Sequence, residues 1–386
     1  MTAFRTRLHR DERGMSFVFV GASFMAFMAA TTIAIDVGMF MTARSQAQNA
    51  ADAGALAGAI VLAFDDPNDQ SASGPATQNA ITAAQLNQVI HQTVDVVPGD
   101  VTFPLGPGGE PRVRVSVFRT TARGNPVSTL IGQAFGVYDV DIAASATAEA
   151  SLANAMTCVL PFTIPDRWQE VTSPPWTPDS KFEMYSGGNG QGQPLSNPDV
   201  YVDPNDKENY TGYHPWRDKG TRLMIRAGVG NHVEPSFYYS YSMGAVTGAA
   251  EYTWNIANCN STIMGFPAEV VHEPGAMSGP TYDGIDELIA KDPNAYWDTF
   301  ENKVVSTTNP SPRVAVLPVF DPEHFAEGKK NGRNADLKVW NYLGFFVEGR
   351  SGQNIYGRIV PVAGIYSGSM GPAPAAAFPV VIRLVE

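Results

Sequence analysis

Apolar residues run from Gly14 to Ile35 without a charge, through Met15-Ser16-Phe17-Val18-Phe19-Val20, with only Ser16, Ser23, Thr31 and Thr32 as polar side chains. An α-helix of that length spans roughly 33 Å, about the hydrocarbon core of a bilayer. A buried core helix would show a polar stripe, and a cleaved secretory signal has a shorter apolar region ending at small residues. The pattern predicts a retained membrane-spanning helix. It also predicts that the helix continues: between Gly14 and Phe64 only Asp36, Arg44 and Asp52 are charged, and no proline occurs before Pro67. One uninterrupted helix would be about 75 Å long. Its distal half carries a small-residue row at Ala50, Gly54 and Gly58, beside Ala47, Ala51, Ala55 and Ala59. Such a row admits close approach of a second helix, from a partner or from the chain's own outer part.

Beyond this helix the periodicity changes. Residues 65–75 read as a turn-rich break, and residues 76–91 as a short amphipathic helix with Ile81, Ala84, Leu86 and Ile90 apolar. Arg112-Val113-Arg114-Val115-Ser116-Val117-Phe118-Arg119 alternates as a half-buried strand does, after the turn residues Pro107-Gly108-Gly109. Residues 128–135 suggest a short helix, and Tyr138 to Ala150 alternates again. From residue 156 onward alanine gives way to aromatics and prolines. Strands are predicted at 221–227, 236–243, 314–320, 339–348, 355–362 and 380–385, with a short helix at 283–289 ended by Lys291-Asp292-Pro293. The fold class expected is α+β: a long N-terminal transmembrane, pilin-like helix with a small α+β module, then a mainly antiparallel β domain, sandwich or barrel. The expected divisions are a basic head at 1–13, the helix at 14–64, the small module at 65–155 and the β-rich domain at 156–386.

Charge orients this plan. Residues 1–13 hold Arg5, Arg7, Arg10 and Arg13 against Asp11 and Glu12, a net +2, which leaves −14 elsewhere in a chain of net charge −12. Arginines just before the apolar run place the head in the cytoplasm and everything after the run across the membrane, in the periplasm or outside the cell. An acidic body without a basic stripe argues against nucleic acid as a partner. The two cysteines, Cys158 and Cys259, fit no metal-ligand spacing. In an oxidising compartment they are expected to form one disulfide across a long loop.

The residues Asp11-Glu12-Arg13-Gly14, the apolar run, Ile35-Asp36-Val37-Gly38 and Ala43-Arg44-Ser45-Gln46-Ala47-Gln48-Asn49-Ala50-Ala51-Asp52-Ala53 resemble, as an ordered set, the N-terminus of TadG-like proteins of the TadE/TadG family. These belong to the Tad (tight adherence) system, which builds Flp-type, type IVb pili. The phrases Phe162-Thr163-Ile164-Pro165-Asp166-Arg167-Trp168, Glu273-Pro274-Gly275 with Gly279-Pro280-Thr281, and Asp292-Pro293-Asn294-Ala295 are similar to C-terminal regions of the same proteins. The resemblance implies an inner-membrane pilus-assembly protein with a pilin-like first helix, meeting pilins or other Tad proteins. It marks Gly14 and Met15 as the candidate processing point for a prepilin peptidase. A cut after Gly14 would put Phe19 where true pilins carry glutamate, so the chain is expected to stay uncut.

Candidate chemistry is sparse. Asp69-Gln70-Ser71-Ala72-Ser73 matches the metal-binding string of von Willebrand factor A domains, which some TadG-like proteins carry, but no alternating βα pattern surrounds it. A polar linker is the expectation. Asp199, Asp203, Asp206 and Glu208 could gather around calcium, though their spacing fits no EF-hand. Gly187–Gly192 reads as a flexible loop and Gly228-Val229-Gly230 as a hairpin turn, since neither completes a nucleotide-binding motif. His272-Glu273 is followed by Pro274-Gly275, which breaks the helix a zinc protease needs, and no Gly-x-Ser-x-Gly occurs. Tyr210, Tyr213, Trp216, Phe237, Tyr238, Tyr239, Tyr241, Tyr252 and Trp254 are expected to be mostly core. The reading is a structural, protein-binding component, not an enzyme, with no cofactor, metal or small-molecule substrate evident. The alternative is a tethered adhesin or minor pilin whose β-rich domain binds glycans or host protein.

Overall fold

The computed structural model describes residues 13–64, 69–187, 192–228, 233–243, 248–273, 277–330 and 337–385. The basic head, most of the loop Gly187–Gly192, the turn residues Val229-Gly230 and the pair Pro274-Gly275 lie outside them. The fold is α+β: one long N-terminal helix, then a mostly antiparallel β-domain containing a closed six-stranded barrel. Two compact units separate, one within Met1–Val61, Asn68–Glu149 and Leu384–Glu386, the other within Leu62–Pro67 and Ala150–Arg383.

Helix α1 (Arg13–Phe64) is unbroken, as its lack of proline allows. Within the first unit its distal half meets α2 (Pro75–Gln85) and a small sheet of β1 (Val101–Thr102), β2 (Arg112–Arg119) and β3 (Ile142–Leu152). Proline at the first position of α2 needs no amide partner there. Strand β2 pairs antiparallel with β1 and with β3, in register from Arg112↔Glu149 to Arg119↔Ile142. Its alternation works as read: Val113, Val115 and Val117 are fully buried. The hairpin before it turns at Gly109, whose φ of +85° suits glycine.

Two expectations for this unit need correction. Helix α2 buries Ala76, Thr77, Ala80 and Ala84, while Leu86 is 81% exposed and Ile90 lies beyond the helix. The small residues face α1 because close helix packing excludes large ones, so of the apolar positions expected only Ala84 is fully buried. The predicted helix at 128–135 is a single 3₁₀ turn at Gly132–Phe135.

In the second unit, β4 (Phe162–Pro165), β5 (Arg222–Ala227), β6 (Phe237–Ser240), β8 (Val314–Phe320), β9 (Leu337–Ser351) and β10 (Asn354–Val360) close in the order β9-β8-β4-β6-β5-β10 and back to β9. The edge strand β7 (Ala268–Val270) adds to β9. Strands β4 and β8, and β5 and β6, run parallel; the other barrel neighbours are antiparallel. The segment around Gly228 therefore joins parallel strands and is not the hairpin turn expected. Closure removes the free edges that an open sheet exposes.

The barrel interior is filled by Phe162, Ile164, Leu223, Ile225, Leu317, Val319, Leu343, Phe345, Ile355 and Ile359. Helices α3 (Ala249–Ala257) and α4 (Ser278–Ala290) add Tyr252, Ile256, Ile285 and Leu288 to this core. Strand β9 is buried on both faces, with Leu343, Phe345 and Val347 inward and Tyr342 and Phe346 in separate outer clusters. Further elements include α5 (Pro322–Lys330) and β11 (Val380–Leu384).

Candidate functional site

Helix α1 divides sharply at Asp36. From Gly14 to Ile35 every described side chain is exposed except the half-buried Ala29, including Phe17, Phe19, Phe24 and Phe27. The segment is long and apolar enough to cross a membrane. A helix satisfies its own backbone polar groups, and Thr31 also returns its hydroxyl to the Phe27 carbonyl at 2.8 Å. The candidate processing residues Gly14 and Met15 sit at the start of this segment, with Met15 60% exposed.

Burial starts at Asp36, whose carboxylate accepts the backbone N–H groups of Leu130 at 2.9 Å, Ile131 at 3.2 Å and Gly132 at 2.6 Å. A carboxylate at the start of a 3₁₀ turn meets amides with no other partner, as at any helix N-terminus. The turn is tightly packed: a Cβ on Gly132 would lie 3.1 Å from Asp36 Oδ2 and 3.0 Å from Thr129 Cβ. Asp36 thereby fixes the 129–138 loop to the point where the helix stops being bare. Its partners lie 94 to 96 residues away, so the only sequence sign was a lone carboxylate ending an uncharged run.

Further along, Ala43, Ala47, Ala50, Ala51, Ala55 and Ala59 are fully buried, and Gly54 and Gly58 with them. A Cβ on Gly54 would meet Ala80 O at 2.9 Å, Ala84 Cβ at 3.1 Å and Val115 Cγ1 at 3.2 Å. On Gly58 it would meet Val113 Cγ1 at 2.8 Å and Ala80 Cβ at 3.1 Å. The helix seated on Gly54 and Gly58 is thus the chain's own α2, backed by β2, with Ala50 buried one turn before them.

The second unit is built around a buried carboxyl. Asp166 follows β4 and accepts four hydrogen bonds, from Tyr210 Oη at 2.7 Å, Tyr201 Oη at 3.2 Å and the amides of Arg167 at 2.8 Å and Tyr213 at 3.0 Å. Asn341 Nδ2 donates to Tyr210 Oη at 3.1 Å, linking β9 to the same network. Burial raises the Asp166 pKa to about 6, against the opposing pull of these donors. A Cβ on Gly212 would lie 2.4 Å from Asp166 Oδ2, so glycine is needed there. Perturbed carboxyls often mark catalysis, but this one has its acceptor positions filled by the chain itself. It holds the 199–213 loop to the barrel. Nearby, Arg167 pairs with Asp218 at 2.5 Å and stacks on Trp176 at 4.4 Å. The phrase from Phe162 to Trp168 is therefore a structural hub: it supplies barrel core, the buried carboxyl and the buried Trp168.

The other candidates resolve into local structure. Asp69 accepts the Ser71 amide and hydroxyl in a turn before α2. Asp199 accepts amides of Val171, Thr172 and Glu183, while Asp206 is used by Asn209, so the acidic stretch does not converge. Among the described residues no group of three His, Cys, Asp or Glu could hold a metal ion. Of the nine aromatics, Tyr210, Tyr213, Phe237, Tyr238, Tyr239, Tyr241 and Tyr252 are buried, and Trp216 and Trp254 exposed. Cys158 and Cys259 are joined by a disulfide spanning a sequence separation of 101.

Residues 14–61 match the family model described as "Tad: Putative Flp pilus-assembly TadE/G-like". No curated protein and no solved structure matches the chain. The matched span takes in the bare apolar segment, Asp36 and the alanine–glycine row, and over it the chain is similar to TadE/G-like proteins of Flp pilus assembly.

Proposed function

We propose that the chain is a membrane-anchored, non-enzymatic component of Flp pilus assembly. Residues 14–35 cross the bacterial inner membrane, the basic head is cytoplasmic, and the residues beyond Asp36 lie in the periplasm or outside the cell. The observation that carries this reading is the change within α1, from an apolar surface exposed on all sides to a fully buried alanine–glycine face. In water the stretch from Gly14 to Ile35 would leave a long apolar surface unburied, far beyond what a soluble monomer tolerates. A disulfide across 101 residues suits an oxidising compartment.

The distal row at Ala50, Gly54 and Gly58 serves α2, so partner helices, pilins or other Tad proteins, meet the chain along residues 14–35. The second unit offers its surface to further components of the assembly. Gly14–Met15 is retained uncut, because Phe19 stands where a pilin needs glutamate. The test is deletion of the gene in its own bacterium, with fibres counted by electron microscopy. Loss of Flp fibres, restored by the full chain but not by one lacking residues 14–35, is expected. Normal piliation in the deletion strain, with glycan binding by the second unit, would replace this reading with the adhesin.

A further inference from the structure

We propose that residues 130–138 form a second membrane contact: an interfacial loop whose Leu130, Phe135, Val137 and Tyr138 side chains seat at the headgroup–acyl boundary beside the emerging helix. The inference rests on the anchor reading and extends it to a surface outside the helix.

Three observations converge. The first is level. The 22 residues from Gly14 to Ile35 span about 33 Å, so Asp36 falls at the outer rim of a hydrocarbon core of about 30 Å. The carboxylate holds the amides of Leu130, Ile131 and Gly132 at 2.6–3.2 Å, which sets this loop, 94 residues away in sequence, at the same height. The second is surface. Leu130 is 68% exposed, Phe135 55%, Val137 50% and Tyr138 64%, and residues 133–139 are exposed without a break. From Gly124 to Tyr138 no residue is charged, in a protein whose body is strongly acidic. Aromatic and aliphatic side chains at this depth match the aromatic belt of membrane proteins.

The third is backbone. A loop can enter the interface only if its polar main chain is satisfied internally. Here Thr129 N–H donates to Tyr138 O at 2.9 Å, Val137 N–H to Gly132 O at 3.0 Å and Gly136 N–H to Gln133 O at 3.1 Å. The Thr129 hydroxyl donates to Val137 O at 2.6 Å. The loop is closed on itself and turns its apolar side chains outward, a shape with a use at a lipid surface and a liability in water. Leu105, on the β1–β2 hairpin, is a natural contrast. It is 69% exposed, yet it bridges Pro111, two residues before Val113, which packs at Gly58, about 33 Å further up α1 from Asp36.

The test uses the full chain in vesicles of phosphatidylethanolamine and phosphatidylglycerol. A ketone-bearing amino acid, which leaves the disulfide alone, replaces Phe24, Leu105, Phe135 or Tyr138 and carries a nitroxide. Its relaxation by oxygen and by a water-soluble nickel chelate reports depth. The expected result places the label at 24 in the hydrocarbon, at 135 and 138 severalfold less accessible to the chelate than at 105, and at 105 in water. Labels at 135 and 138 as accessible as at 105, with 24 still in lipid, would overturn the interfacial loop and leave the anchor standing. A label at 24 in water would overturn both.

Discussion

Replacing Gly54 by alanine sets two effects of opposite sign against each other. Alanine in a helix interior is favoured over glycine by about 0.8–1 kcal/mol. The added methyl, however, would stand 2.9 Å from the Ala80 carbonyl oxygen, a backbone atom of α2 that cannot rotate away, and 3.1 Å from Ala84 Cβ. Overpacking of a filled site costs about 1–3 kcal/mol. The net is a loss of about 1 kcal/mol, borne by the α1–α2 contact, or roughly fivefold in the local opening equilibrium. Hydrogen exchange of the α2 amides in the detergent-solubilised chain reads this directly: exchange over residues 78–85 should accelerate about fivefold. Gly38→Ala is the matched control, since nothing lies within 4 Å of a Cβ there, and it should leave α2 unchanged. Equal or slower α2 exchange in Gly54→Ala would refute the reasoning, because it would mean that the row does not hold α2.

Asp36→Ala should strip exchange protection from the amides of Leu130, Ile131 and Gly132 while leaving α2 protected; hydrogen exchange at both sites decides it. Asp166 binds its proton more tightly folded, with a pKa of about 6 against 3.8 in the unfolded chain, so its contribution grows as pH falls from 6 toward 4, by up to about 3 kcal/mol, and is flat above 6. Thermal melts of wild type and Asp166→Asn should therefore diverge on acidification, with the wild type gaining; parallel curves would remove the carboxyl from the account. The variant should also be less stable at pH 7, because Oδ2 accepts from Tyr201 and Tyr210 and Oδ1 from the Arg167 and Tyr213 amides, and an amide would turn its NH2 toward one of these donor pairs. Cys158→Ser with Cys259→Ser, or reduction, should destabilise the second unit by roughly 4 kcal/mol, the scale for a loop of about 100 residues, seen as a melting shift that wild type reproduces only in reductant.

What the sequence made legible was what repeats locally. The uncharged run and absent prolines describe α1 to within a residue, and the alternation at 112–119 gives both the strand and its buried face. The core strands were readable at 314–320 and 339–348, though not that β9 would extend from Leu337 to Ser351 or be covered on both sides. What stayed hidden depends on partners distant in the chain. Asp36 and Asp166 look like any acidic residue until residues 130–132 and 201–213 fold against them. The buried face of α2 was legible only at Ala84, because its contact is with glycines, where alanine outcompetes leucine. Gly228 was misassigned because a glycine in a turn does not reveal whether its flanking strands run parallel or antiparallel.

The central claim, an uncut anchor holding a folded body outside the cytoplasm, is tested most directly on the native protein. Membrane fractionation is followed by mass spectrometry of the N-terminal peptide. The account predicts an end at Met1 or Thr2, with the protein in the inner membrane. A new end at Met15, with the protein in sheared fibres, would contradict it and make the chain a minor pilin.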